Sequence, residues 1–272
     1  MSDEPIFKGI DTTVPSAARI YDYFLGGKDN FASDRETAEK IIALGEAEGF
    51  DVRLIIAANR SFLGRVVREL AQAGVRQFLD IGAGLPTAEN VHQIVQEIAP
   101  AARVVYVDND PIVLVHARAL LANDKQTIVV EGDLRDPRRI LDDPAVRAHL
   151  DFRQPVAILV PALLHFFADD DEVARMIATL REALPSGGHL AISHGYSPHA
   201  PQDKMEESRT IYNKTSAGDI VHRRPEVIAR FMEGFELLEP GIVPVELWRP
   251  RDDQDAGDPD HSGYLGAVGR VP

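Results

Sequence analysis

From residue 76 onward, short apolar runs alternate with apolar positions at helical spacing. FLDIG (78–82) reads as a short buried strand, and Val91, Ile94, Val95 and Ile98 follow at helical spacing up to Pro100. RVVYVD (103–108) is the next predicted strand; Asp110 then caps a helix whose first residue is Pro111, where a missing N–H costs nothing. TIVVEGD (127–133) is a third strand and PVAILVPALL (155–164) contains a fourth. The acids at 169–172 open a helix, as the helix dipole favours, and it stops at LPSGG before a fifth strand, HLAIS. Pro225 begins a helix ending near Gly234, and GIVPVELW and YLGAVGRV form two closing β segments. Upstream, Ser33 and Glu36 have capping-box spacing and predict a helix over 34–48. Strand, helix, strand repeated in this way implies a mostly parallel sheet covered on both faces, with the ligand beyond the C-terminal strand ends at a switch point.

Composition narrows the chemistry. The 272 residues are 44% apolar, enough for one large α/β domain with an appendage. The absence of cysteine excludes disulfides, thiolate metal sites and a cysteine nucleophile. A formal charge of −14 argues against nucleic acid and anionic membranes as partners. No apolar stretch has the length of a membrane span and no leader is visible at the start, so a cytoplasmic protein is expected. The nine histidines show no HExxH and no helix-spaced pair with a carboxylate, so no metal is expected. GYS (195–197) lacks the flanks of a nucleophile elbow.

The stretch FLDIGAGLPT (78–87) carries the first functional signal. Gly82 and Gly84 allow a tight turn and close approach to a ligand at the start of a helix. A dinucleotide fingerprint would place a third small residue at position 87, which here is Thr87. Asp80 stands just before the turn, where it would repel a pyrophosphate and attract a cation, unless it merely caps the turn. S-adenosylmethionine is such a ligand, with an ammonium, a sulfonium and no phosphate. Asp108 ends the second strand, where an acid accepts hydrogen bonds from ribose hydroxyls, and Asp133 ends the third, within reach of an adenine amine. Three acids at successive strand ends point to one cleft.

FLDIGAGLPT, VVYVDNDP, GDLRDP and LPSGGHLAIS resemble the successive motifs of class I S-adenosylmethionine-dependent methyltransferases. PSAARIYDYFLGGKDNFASDR (15–35), ANRSFL and HFFADDDE are similar to an uncharacterised bacterial, largely actinobacterial, family of such methyltransferases. The resemblance covers nearly the whole chain. It implies a Rossmann-like, seven-stranded sheet with an antiparallel last strand, helices on both faces and an N-terminal helical lid. It also implies cofactor binding at Asp80, Gly82, Gly84, Leu85, Pro86, Thr87, Asp108, Asn109, Asp133, Leu134 and Pro161.

Residues 1–60 are expected to form the lid and 61–272 the cofactor-binding domain, together one compact unit. In the lid, Arg19, Tyr23, Gly26, Gly27, Lys28 and Asn30 are expected to meet the cofactor, the glycines permitting close approach. Methyl transfer needs a base only if the acceptor is an alcohol, phenol or similar protonated group. His165 and His194, at the ends of the fourth and fifth strands, are the candidates, each alternatively structural. The segment 197–224, with Met205, Tyr212 and Asn213, is the expected acceptor-side insertion. A small-molecule acceptor follows, with neither nucleic acid nor membrane as partner; oligomeric state leaves no signature. The alternatives are a regulator that binds S-adenosylmethionine without catalysis and an NAD-dependent oxidoreductase, the latter disfavoured by Asp80 and Thr87.

Overall fold

The computed structural model describes residues 11–86, 89–121, 124–197, 200–251 and 258–272. Three helices come first: α1 (Ala17–Phe24), α2 (Ala32–Ala47) and α3 (Val52–Gln72). Then follow β1 (Gln77–Ile81), α4 (Val91–Ile98), β2 (Arg103–Asp108), α5 (Pro111–Leu120), β3 (Thr127–Glu131), α6 (Pro137–Leu141), α7 (Pro144–His149) and β4 (Ala157–Val160). The rest is α8 (Asp170–Ala183), β5 (His189–Gly195), α9 (Gln202–Tyr212), α10 (Pro225–Phe231), β6 (Glu236–Leu237), β7 (Val243–Pro244) and β8 (Tyr264–Arg270).

The sheet runs β3-β2-β1-β4-β5-β8-β6, with β7 also paired to β8. Strands β1 to β5 are mutually parallel and β8 is antiparallel to β5. Seven positions are filled, as expected, but the outermost is shared by two two-residue strands. Leu237 pairs with Gly269 and Val243 with Gly266, so β6 and β7 lie end to end along β8. The predicted segment GIVPVELW therefore supplies only Val243–Pro244 before a 3-10 turn at Val245–Leu247.

Period-two alternation sorts the strand residues onto two faces. Phe78, Val104, Tyr106 and Leu159 pack beneath α1 to α4, whereas Leu79, Ile81, Val105, Val107 and Ile158 pack against α6, α7, α8 and α10. Asp80 shares parity with Phe78 and lies opposite Tyr106, so the register itself turns it toward the α3–α4 side.

The cap of α2 differs from the predicted one. Phe31 holds the cap position, and Asp34, fully buried, accepts from Phe31 N–H (2.8 Å), Ser16 N–H (2.9 Å) and Arg19 Nε (2.7 Å). Ser33 instead donates to the Thr12 carbonyl. Asp34 is thus the knot joining α1 to α2. The expected boundary at residue 60 falls inside α3, one continuous helix that packs with both α1 and the sheet.

His189, at the start of β5, is nearly buried, and its Nδ1 has no partner among the described residues. Burial, with Arg270 adding to it, lowers its pKa to about 4. The unfolded chain, with a pKa near 6.5, takes up this proton first as pH falls, so the stability due to neutral His189 is complete above 6.5 and is lost toward 4. Between pH 7 and 5, denaturant titrations should show His189→Leu gaining on the wild type by up to about 2 kcal/mol. A pH-independent difference would refute the assignment.

Candidate functional site

Strand order reverses between β1 and β4, and a cavity of about 390 Å³ lies at the C-terminal ends of β1, β2 and β4. That size is ordinary for a small-molecule site. Its floor is the backbone turn 82–85 with Asp108, Asn109, Asp133, Leu134 and Pro161. Its roof is α1, through Tyr21, Asp22 and Phe24, and α3, through Ile56, Asn59 and Arg60. His165, Phe166, Tyr212 and Tyr264 also line it.

The turn is held by β2. Gly82 N–H donates to the Val107 carbonyl at 2.8 Å, and Gly84 N–H to Asp108 Oδ2 at 2.9 Å. Asp108 Oδ1 accepts from Asp110 N–H at 2.9 Å, so both oxygens are fixed by backbone. Gly82 and Gly84 have φ of +74° and +67°, which a side chain would strain, and open space lies where a Cβ on Gly84 would stand. Burial raises the Asp108 pKa, and the two backbone donors oppose that shift. Asp133 is gripped by Arg135 (2.6 Å) and by Asn109 Nδ2 (3.0 Å), which hold its carboxyl below the usual range against the effect of burial. Leu85 is buried with Ile112 and Val113, and Pro86 borders a second, smaller pocket. Thr87 lies outside the described residues.

Asp80 does not line the cavity. It sits behind the turn in that second pocket, of about 20 Å³, with Arg60, Tyr106 and Asp108. Burial raises its pKa to about 7, with Arg60 opposing and Asp108 adding to the shift, and Oδ1 has no partner among the described residues. The cation nearest to hand is therefore Arg60, which borders both pockets.

The N-terminal signature divides differently from the expectation. Arg19 is buried outside the cavity, bound to Asp34 (2.7 Å) and the Val14 carbonyl (2.6 Å), with Asp110 at 3.7 Å. Tyr23 donates to Glu39 on the surface. Gly26 and Lys28 are exposed, and neither lines the cavity. Gly27 and Asn30 instead serve Asp22. Asn30 Nδ2 and Asp29 N–H donate to Asp22 Oδ2 (2.9 and 3.0 Å), and a Cβ on Gly27 would stand 2.0 Å from Oδ1. The polar loop thus presents Asp22 to the cavity, with nothing among the described residues donating to its Oδ1. Burial raises the Asp22 pKa, and its hydrogen bonds with Asn30 and Asp29 oppose that.

Neither histidine is placed as a base. His165 Nδ1 accepts Gly195 N–H at 3.2 Å, which puts the hydrogen of the neutral ring on Nε2. His194 lies outside the cavity, fully buried, with Nδ1 donating to the Gly195 carbonyl (2.8 Å) and Nε2 accepting from Arg223 (2.9 Å). Burial lowers His194 to about 3 and His222 to about 4, and His165 falls well below its ordinary value. Of the insertion, Tyr212 lines the cavity, whereas Met205 and Asn213 do not, and residues 198 and 199 lie outside the described set. Among the lining residues that the sequence left unnamed are Tyr21, Asp22, Asn59, Arg60, Phe166, Glu172 and Tyr264. ANRSFL (58–63) carried Asn59 and Arg60, and their spacing of three and four residues from Ile56 on the same helix was the available signal.

A parallel sheet with an antiparallel strand near its edge, a glycine turn after β1 and acids ending β2 and following β3 define a Rossmann-like α/β fold with its cleft at the switch point, the architecture expected from the sequence. The chain belongs to the S-adenosyl methyltransferase family, whose profile matches residues 4–272. It is similar to a DUF574 family protein from Streptomyces avermitilis MA-4680, at 42% identity and TM-score 0.89 over 96% of this chain and 99% of that one. It is also similar to a protein from Thermobifida fusca YX provisionally assigned as a methyltransferase, at 40% identity and TM-score 0.88 over 99% of each chain. No curated protein matches the chain.

The protein is an S-adenosylmethionine-dependent methyltransferase. The cavity fits that cofactor: Asp22, Asp108 and Asp133 border it, open space lies over Gly84, and the acids favour a cation. No cluster of three His, Asp or Glu suited to a metal occurs among the described residues, and none of their helices is long and apolar enough to cross a membrane.

Proposed function

We propose that the chain transfers the methyl group to a small-molecule acceptor by in-line displacement within this cavity, in the cytoplasm. The observation that carries the reading is the carboxylate of Asp108, locked onto Gly84 N–H at the cavity floor beneath a roof formed by α1. S-adenosylmethionine supplies an electrophilic methyl on a sulfonium. Asp108 would accept from ribose hydroxyls, Asn109, Asp133 and Leu134 would hold the adenine, and the 82–84 backbone with Pro161 would receive the remainder. Asp22 Oδ1 offers a further acceptor. Helix α1 is the lid, fastened by Ser16 Oγ donating to Asp110 at 2.6 Å and by the Arg19–Asp34 pair. Enclosure excludes water and holds the nucleophile against the methyl, which is the main demand of this reaction.

The test is calorimetric titration of the purified protein with S-adenosylmethionine, S-adenosylhomocysteine and NAD. Micromolar binding of the first two and none of NAD is expected. Absent or NAD-preferring binding would remove this reading of the cavity.

A further inference from the structure

One wall of the cavity is aromatic. Phe166 and Tyr212 have ring centroids 5.8 Å apart, His165 lies 4.3 Å from Phe166 and 5.9 Å from Tyr264, and Tyr21 lines the same cavity. Tyr21 has its hydroxyl engaged, accepting from Asn59 Nδ2 at 2.9 Å. The Tyr212 and Tyr264 hydroxyls make no hydrogen bond among the described residues, although Tyr264 is only 8% exposed. Asn59, 2% exposed, leaves Oδ1 without a partner there.

This wall holds nothing that takes a proton. Burial keeps the Tyr212 and Tyr264 phenols protonated, raising Tyr212 to about 12. His165 has its only lone pair on Gly195 N–H, and the His194 lone pair is on Arg223. The carboxylates of the cavity stand on other parts of its lining: Asp108 ends β2, Asp110 is held by Ser16 Oγ and Ile112 N–H, Asp133 follows β3 with Arg135, Glu172 faces Arg135 from α8, and Asp22 on α1 has its Oδ2 held by Asn30 and Asp29 N–H.

We infer that the acceptor is a planar nitrogen heteroaromatic whose reacting nitrogen carries a lone pair and no proton, and that it leaves as an N-methyl cation seated against Phe166, Tyr212 and Tyr264. The inference rests on the methyl-transfer reading above. The nitrogen lone pair forms the new bond to the methyl carbon as the carbon–sulfur bond breaks and its electron pair stays on sulfur. One positive charge moves from sulfur to nitrogen, so the balance requires no base. The faces of the rings attract the resulting cation, an interaction worth about 2 kcal/mol or more when desolvated.

The test is calorimetric titration of the S-adenosylhomocysteine-loaded protein with N-methylquinolinium and with its neutral isostere 1-methylnaphthalene. The cation is expected to bind at least tenfold more tightly, and Tyr212→Leu and Tyr264→Leu to erase that preference while retaining S-adenosylhomocysteine affinity. Equal affinity, preference for the neutral ligand, binding of neither, or a preference that survives both substitutions would overturn the acceptor class. Failure of S-adenosylhomocysteine to bind the wild type would strike the methyl-transfer reading instead.

Discussion

Asp108→Ala is expected to weaken S-adenosylhomocysteine binding more than a hundredfold. The carboxylate accepts Gly84 N–H and Asp110 N–H, one per oxygen, and lines the cavity with lone pairs left over for further donors. Hydrogen bonds to a charged group contribute about 1.5–3 kcal/mol each, and about 2.8 kcal/mol is a hundredfold in affinity. Its removal takes away ligand contacts and frees the glycine turn in the same stroke. Asp108→Asn keeps one carbonyl oxygen but turns an amide N–H₂ toward the other backbone donor, so a loss of tenfold or more is expected. Calorimetry on both variants, with circular dichroism to confirm folding, decides the matter. A folded Asp108→Ala protein that binds within threefold of wild type would make Asp108 a clamp for the turn and nothing more.

Arg223→Met should cost the fold about 3–5 kcal/mol, the usual consequence of breaking a buried charged network from one side. Arg223, 6% exposed, donates to Asp170 (2.7 Å), to the carbonyls of Leu164 (3.2 Å), Phe167 (2.6 Å) and Ala168 (3.3 Å), and to His194 Nε2 (2.9 Å). Methionine preserves the stem beside Phe231 and removes every donor. For a chain of this size the loss corresponds to a drop of roughly 10 °C in melting temperature. Guanidinium unfolding measures it directly; a change below about 1 kcal/mol would show that water replaces the guanidinium without penalty.

Legibility followed sequence locality. The strands β1 to β5 and helices α4, α5 and α8 were readable because each carries its own periodicity and caps, Asp110 and Asp169 among them. β6 and β7 were not, since two residues have no period and their pairing is supplied by β8, more than twenty residues away. α9 buries no residue and so shows no apolar stripe. The floor of the cavity was equally local: Gly82, Gly84, Asp108 and Asp133 follow from strand ends. The roof was not. Arg19 and Tyr23 stood out by polarity, yet Arg19 is consumed by Asp34 and Tyr23 by Glu39, while the neighbouring Asp22 reaches the cavity. Adjacent positions on a helix face different ways, and only the packing of α1 on α3 decides which is inward. Asp80 was legible as an unusual carboxylate, but its strand parity directs it behind the turn.

The broken outer strand bears on how the molecule behaves in a crowd. A continuous sheet edge offers an incoming chain a row of free amides and carbonyls on which to align. Here the edge beyond β8 is cut by residues 239–242, with Pro240 inside the cut and Pro244 closing the second piece. Neither piece provides a run long enough to seat a foreign strand, so this side of the sheet resists growing from one molecule into the next.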